Sequence, residues 1–199
     1  MTAAVAVVDS GGANIASLRF ALQRLGHSSL LTADPAVIRN AERVILPGVG
    51  AARDAMQRLE AAGLVDTLRG LSQPMLGICL GMQLLFSRSA EDDAECLGVI
   101  DGEARRLPAS VNLPVPHMGW NRVAKARHSA LLDGIPEGAH FYFVHSYAVG
   151  MVTATTGITH YGHDFTSVVR QGNFAGTQFH PERSGAHGAR LLENFMRMH

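Results

Sequence analysis

The stretch LGICLG, residues 76–81, sets one cysteine between two glycines: Gly77-Ile78-Cys79-Leu80-Gly81. Met75 to Ile78 reads as a buried strand and Gly81 to Phe86 as the beginning of a helix, so Cys79 stands at the corner between them. A strand that turns directly into a helix cramps the corner residue, and side chains on its neighbours would collide with adjacent backbone. Glycine on either side of a nucleophile removes those collisions and lifts the reactive atom above the sheet. An isolated cysteine is ordinarily a small core hydrophobe. The bracket and the corner favour a reagent instead. The same placement sets the sulfur against free N–H groups at a helix start, which favours the thiolate, and aims the Leu80 N–H at a carbonyl under attack. Cys96 has no such setting and reads as core.

Outward from that corner, the first 86 residues alternate strand and helix. Val5 to Val8 is a short β-rich run. A helical face follows with Ile15, Leu18, Leu22 and Leu25, stopped by Gly26. Ser28 to Leu31 is a second strand, and Asp34-Pro35 a helix start. Arg43 to Leu46 is a third strand, ended by Pro47-Gly48-Val49-Gly50, with helical pieces at Ala51 to Leu59 and after Gly63. Strands alternating with helices imply a parallel sheet with helices on both faces.

The character then changes. Ser87 to Glu95 is polar and acidic and reads as an exposed loop. Beyond it the apolar runs are short and strand-like: 97–100, 115–118, 141–144, 152–156, 167–170 and 176–179, with Gln171-Gly172-Asn173 as a hairpin turn. A helix from about Gly185 to Met198 closes the chain. The expectation is a single domain over residues 1–199, α/β, a three-layer sandwich around a mostly parallel sheet, with antiparallel strands added in the second half.

Composition narrows the function. The chain has 199 residues, a formal net charge of zero and 47% hydrophobic residues, which suits one folded domain with a sizeable core. Balanced charge gives no footprint for nucleic acid or an anionic membrane surface. No apolar run approaches the ~20 residues of a membrane helix, and the first residues lack the basic start of a signal peptide. Two cysteines make no disulfide framework, and a reducing cytoplasm is the expected setting.

A cysteine hydrolase needs a histidine to take the thiol proton and a third group to orient that histidine. Among 10 histidines, His180 stands out in TQFHPE, residues 177–182. It ends a strand, Pro181 stops further pairing, and Glu182 projects to the same side two residues on. A loop histidine beside a solvated glutamate is the ordinary alternative. In LPGVG, residues 46–50, glycines at a strand end can free the N–H of Val49 or Gly50 as a second oxyanion donor; an ordinary turn is the alternative. His160 and His163 have metal-like spacing but no cysteine or paired carboxylate beside them, so no metal is expected.

LPGVG, GICLGMQLLF and HPE, in that order, resemble the class I, or triad, glutamine amidotransferases with their flavodoxin-like fold. VPHMGWN (115–121) and YFVHSY (142–147) resemble more narrowly the glutaminase subunits of imidazole glycerol phosphate synthase in histidine biosynthesis. The resemblance implies that Cys79 attacks the glutamine side-chain amide to form a γ-glutamyl thioester. It implies that His180 carries the proton, Glu182 orients it, and Leu80 with Val49 and Gly50 stabilises the oxyanion. Gln83, Ser146 and Tyr147 match positions near bound glutamine, and Asn14, His117, Met118, Trp120 and Asn121 match segments near a subunit interface. The implied partner is a (β/α)8-barrel cyclase subunit that receives the ammonia and makes imidazole glycerol phosphate and AICAR; no cofactor is implied. The chain's lack of a G-x-x-x-x-G-K phosphate loop fits an acceptor site on another subunit. Three departures, DSGGAN at 9–14, Ala52 and Ala148, lie outside the triad. A glutaminase feeding another synthase, such as that of pyridoxal phosphate, and a non-catalytic regulatory subunit are the alternatives. PHMGWN argues against the first and the intact triad against the second.

Overall fold

The computed structural model describes residues 5–10, 15–111 and 113–198. Through these the chain runs β1 (Val5–Val8), α1 (Ile15–Arg24), β2 (Ser29–Thr32), α2 (Pro35–Asn40), β3 (Arg43–Gly48), α3 (Ala52–Ala61), α4 (Val65–Arg69), β4 (Met75–Cys79), α5 (Leu80–Gln83), β5 (Phe86–Ser89) and β6 (Ala94–Glu95). It continues β7 (Ile100–Arg106), β8 (His117–Lys125), β9 (Ala139–His145), β10 (Tyr147–Val149), β11 (Thr155–His160), β12 (Asp164–Gln171), β13 (Phe174–Thr177) and α6 (Gly185–Met196).

Nine strands form one sheet in the order β2-β1-β3-β4-β13-β12-β11-β8-β9. The half from β2 to β13 is parallel, and from β13 onward each neighbour is antiparallel. Strand alternation sends side chains to two cores. Val5 and Val7 of β1 join Leu18 and Leu22 of α1 and Leu191, Leu192 and Phe195 of α6. Ala6 and Val8 face the opposite layer, with Ile38, Met56, Leu59 and Leu68 from α2, α3 and α4. A second sheet, β10-β7-β5-β6, packs on that same side through Phe86, Ile100, Ala104 and Val149. The result is the three-layer α/β sandwich, with helices on both faces of the parallel half.

The expected Asp34 cap is made, its carboxylate accepting the Ala36 N–H at 2.7 Å. Other boundaries differ. The helix after Cys79 is a single turn, because Phe86 is already pairing with Ile100 in the second sheet. The stretch 87–95, read as exposed loop, supplies most of β5 and all of β6, with Ser89 buried beside Arg88 and Ala94 buried between Asp93 and Glu95. The strands expected at 97–100 and 152–156 start later, at Ile100 and Thr155, and the one expected at 176–179 starts earlier, at Phe174. The expected turn at 171–173 joins β12 to β13. No helix among the described residues is long and apolar enough to cross a membrane.

Candidate active site

The carboxyl ends of β3, β4 and β13 lie side by side, with Gly48 opposite Cys79 and Thr177 opposite Ile78. In open α/β sheets the crevice beyond these strand ends is where ligands bind. Cys79 ends β4 with φ +54 and ψ −112, a conformation that side chains rarely adopt. Contact with neighbouring backbone explains the bracketing glycines. A Cβ on Gly77 would lie 2.5 Å from the Gly81 carbonyl oxygen, and one on Gly81 would lie 1.8 Å from the Leu46 carbonyl oxygen. One on Gly48 would lie 2.8 Å from the Gly81 nitrogen, so the 46–50 loop is pressed against Leu80-Gly81. At its tip Gly50 takes φ +89.

His180 and Glu182 follow β13, and a 3-10 turn at Pro181–Arg183, not the extended strand end expected, brings them together with His180 Nδ1 2.9 Å from Glu182 Oε1. Both side chains are almost fully buried, at 10% and 5% exposure. His180 Nε2 and Glu182 Oε2 have no aligned hydrogen-bond partner among the described residues. Burial by itself pulls the imidazole down. Hydrogen bonding to Cys79 and Glu182 and the charges of both groups outweigh it and push His180 up to about 10. The Cys79 thiol points to the Val144 carbonyl at 3.7 Å, and Gln178 Nε2 donates to the sulfur at 3.8 Å. A one-turn α5 carries only a fraction of a helix dipole, so the chief positive group that can face the sulfur is His180.

A cavity of about 320 Å³ opens over these groups, lined by Val49, Gly50, Cys79, Leu80, Gln83, Ser146, Tyr147, His180 and Glu182. Every catalytic, oxyanion and substrate candidate named from the sequence therefore reaches one chamber. A larger hollow of about 540 Å³ between α1 and β2 is lined by no cysteine and no carboxylate, so the chemistry belongs to the smaller one. Glu91, Val144, His145 and Arg183 also line it and were not foreseen. Glu91 accepts the Ala52 N–H at 3.1 Å. Its carboxyl is pushed up by burial, pulled down by that bond and pushed up again by Asp92 and Asp54. The acidic run at 91–93 hid it, because nothing local distinguishes the residue that turns inward.

The interface candidates divide. Met118 and Trp120 lie on the outward face of β8, 65% and 57% exposed, with Trp120 edge-on to Tyr142 and Arg183 stacked on that ring. His117 faces inward and is buried, stacked on Phe143 and Tyr161, so it presents no surface of its own. Asn121 is half-buried beside it. Asn14 lies outside the described residues.

The chain matches the profile of the family Glutamine amidotransferase class-I over residues 6–198. It is 53% identical over 194 residues to the imidazole glycerol phosphate synthase subunit HisH of Xanthomonas axonopodis pv. citri, covering 98% of this chain and 97% of that one. The subunit of the same name from Xylella fastidiosa strain Temecula1 is likewise 53% identical over the same shares. Among solved structures, a glutamine amidotransferase superposes with a TM-score of 0.75 at 20% identity, over 96% of each chain. PurLQS from Thermotoga maritima gives 0.71 at 17%, over 98% of each. With half-identical relatives along nearly its whole length and a nucleophile corner facing a His–Glu pair, the chain belongs to the class-I glutamine amidotransferase family.

Proposed function

We propose that this chain hydrolyses glutamine to glutamate and ammonia, as the glutaminase subunit of imidazole glycerol phosphate synthase in histidine biosynthesis. The observation that carries the reading is the buried pair of His180 and Glu182, which lines one cavity with a cysteine held at a strained corner. With His180 protonated at neutral pH, the Cys79 thiolate attacks the side-chain amide carbon. The Leu80 N–H and the Val49–Gly50 loop receive the oxyanion. His180 gives its proton to the leaving nitrogen, ammonia departs, and a γ-glutamyl thioester remains. Neutral His180 then draws a proton from water, which attacks the thioester; glutamate leaves and the thiolate–imidazolium pair returns. Glu91, on the cavity wall, faces the substrate's α-ammonium, and Gln83 and Tyr147 line the amino-acid end.

The ammonia passes to a separate (β/α)8-barrel cyclase, docked over the apolar patch of Met118 and Trp120. The test measures ammonia release by the chain alone, with a cyclase subunit, and with cyclase and its nucleotide. Release is weak alone and rises in the full mixture; strong release indifferent to any cyclase refutes the reading. Cys79→Ala removes glutamine-dependent product formation and leaves ammonia-dependent formation intact. Equal loss of both rejects the division of labour.

A further inference from the structure

The polar groups behind the nucleophile form a chain whose direction is fixed at one atom. The Tyr147 carbonyl can only accept, and it takes the Gln83 Nε2–H at 2.8 Å and the His145 Nδ1–H at 2.8 Å. Gln83 must therefore turn its nitrogen inward, and that nitrogen also donates to Gln178 Oε1 at 3.0 Å. With its oxygen engaged there, Gln178 directs its own N–H at the Cys79 sulfur, 3.8 Å away. The histidine arm closes by the same logic. His145 Nε2 accepts from His117 Nδ1 at 2.9 Å, and His117 Nε2 accepts from Asn121 Nδ2 at 3.2 Å. Asn121 gives a bond to the His160 carbonyl at 3.0 Å and accepts the Arg122 N–H at 2.7 Å. Burial holds His117 at about 4, and burial outweighs the Tyr147 bond and, joined by His117 and His180, holds His145 at about 3; both rings are neutral, as this polarity needs. Flipping any one amide would set like ends against each other in a buried site, at a cost that keeps the direction single.

Gln178 is fully buried just past the end of β13, two residues before His180, and its amide is the side chain of this segment that donates to the sulfur. The sulfur also faces the Val144 carbonyl, which suits a thiol and opposes a thiolate. Once the proton has moved to His180, something must offset that oxygen. We propose that Gln178 is a second protein partner of the nucleophile: its amide N–H holds the Cys79 sulfur in place and stabilises negative charge on it, with its donor end locked by Gln83 and the Tyr147 carbonyl. The proposal deepens the glutaminase reading and rests on it.

The test is alkylation of Cys79 by iodoacetamide as a function of pH, resolved by peptide so that Cys96 is read separately. Parent, Gln178→Met and Gln178→Asn are compared, each checked for folding by circular dichroism and thermal unfolding. Methionine keeps the volume and removes the donor. Asparagine keeps an amide in the core but stops a methylene short of the sulfur, and carries the test if the methionine variant does not fold. A hydrogen bond to a charged atom is strong enough to move the alkylation midpoint up by about one pH unit. In complex with the cyclase, kcat for glutamine hydrolysis falls about tenfold while KM stays within about twofold. An unmoved midpoint in a folded variant overturns the proposal. So does a raised KM at constant kcat, which would make Gln178 a prop for the substrate pocket through Gln83. Alkylation needs no glutamine, so variants that show the shift beside a parent chain that releases no ammonia in the complex defeat the glutaminase reading and leave the sulfur contact standing.

Discussion

Gly81→Ala tests the corner on which the chemistry depends. A Cβ at this position lies 1.8 Å from the Leu46 carbonyl oxygen and 2.8 Å from its carbonyl carbon. Carbon–oxygen contacts settle near 3.3 Å, so the corner and β3 must part by about 1.5 Å. Neither side is a rotatable side chain. β3 is held between β1 and β4, with Leu46 opposite Gly77, so it cannot withdraw without breaking ladder bonds. Overpacking ordinarily costs about 1–3 kcal/mol when side chains can turn away, and backbone against backbone sets the cost at about 3 kcal/mol or more. At this chain length each kcal/mol lowers Tm by roughly 2–4 °C, giving a fall of roughly 6–12 °C. The strain also shifts Cys79 against His180, and a misplacement of about 1 Å costs on the order of a hundredfold in rate. Thermal unfolding by circular dichroism and ammonia release in the cyclase complex read the two effects. Gly150→Ala is the control, since no atom lies within 4 Å of its Cβ and its φ is not positive; its Tm stays with the parent or rises slightly. A folded Gly81→Ala chain with parental Tm and parental activity would show that the corner is not closed in the way described.

Glu91→Gln keeps an oxygen for the Ala52 N–H but removes the charge facing the substrate's ammonium. KM for glutamine rises about tenfold or more, with kcat little changed; steady-state kinetics in the complex showing a loss in kcat alone would reject the assignment. Stability against pH has two limbs of opposite origin. His117 and His145 are neutral when folded and protonate when unfolded, so stability is whole above pH 6.5. It falls by up to about 1.4 kcal/mol per pH unit for each as pH drops toward their folded values of about 4 and about 3. His180 is raised to about 10, so its contribution is whole below 6.5 and is lost progressively as pH climbs from there to about 10. Urea midpoints from pH 5 to 8.5 trace both limbs; His117→Gln flattens the acid limb and His180→Asn the alkaline one. An acid limb as steep in His117→Gln as in the parent would contradict the buried neutral pair.

The parts of the site legible in the sequence were those whose reason is local. Gly77 and Gly81 are glycine because backbone passes within contact distance of each, and a corner nucleophile needs that wherever it occurs. His180 and Glu182 are close enough in sequence to meet, although a 3-10 turn at Pro181–Arg183, not an extended strand end, brings the carboxylate back to the ring. Glu91 was hidden because its inward turn depends on Ala52, 39 residues away, and an acidic run looks the same from inside or out. Gln178 reads as one more strand residue until Gln83 and Tyr147 fix which end of its amide meets the sulfur. The 87–95 stretch misled for a related reason. Its inward residues are small, and tertiary pairing with β7, not hydrophobic periodicity, makes it a strand. The short α5 followed from the same pairing, since Phe86 could not both continue a helix and join β7.

The site gathers several local costs in one place. Cys79 holds a backbone conformation worth about 1–3 kcal/mol of strain. His180 Nε2 and Glu182 Oε2 are buried with no aligned partner among the described residues, each at about 1–3 kcal/mol. Relaxing any of them by a small turn of the chain would be downhill unless the backbone on both sides were fixed, and it is. Gly48 pairs with Cys79 on β3, and Gly176 pairs with Gly77 on β13. The His180 N–H is bonded to the Tyr142 carbonyl at 2.9 Å. Ser184 Oγ donates to the His180 carbonyl at 2.6 Å and accepts the Tyr142 N–H at 3.0 Å, tying the histidine to β9 a second time. β9 is in turn paired along its whole length with β8, where Trp120 stands opposite Tyr142. The nucleophile is therefore fixed by the parallel half of the sheet and its base by the antiparallel half. The added antiparallel strands are what allow a residue near position 180 to be held against one near position 80, and a parallel sheet ending at β4 would have carried the sulfur with nothing to take its proton.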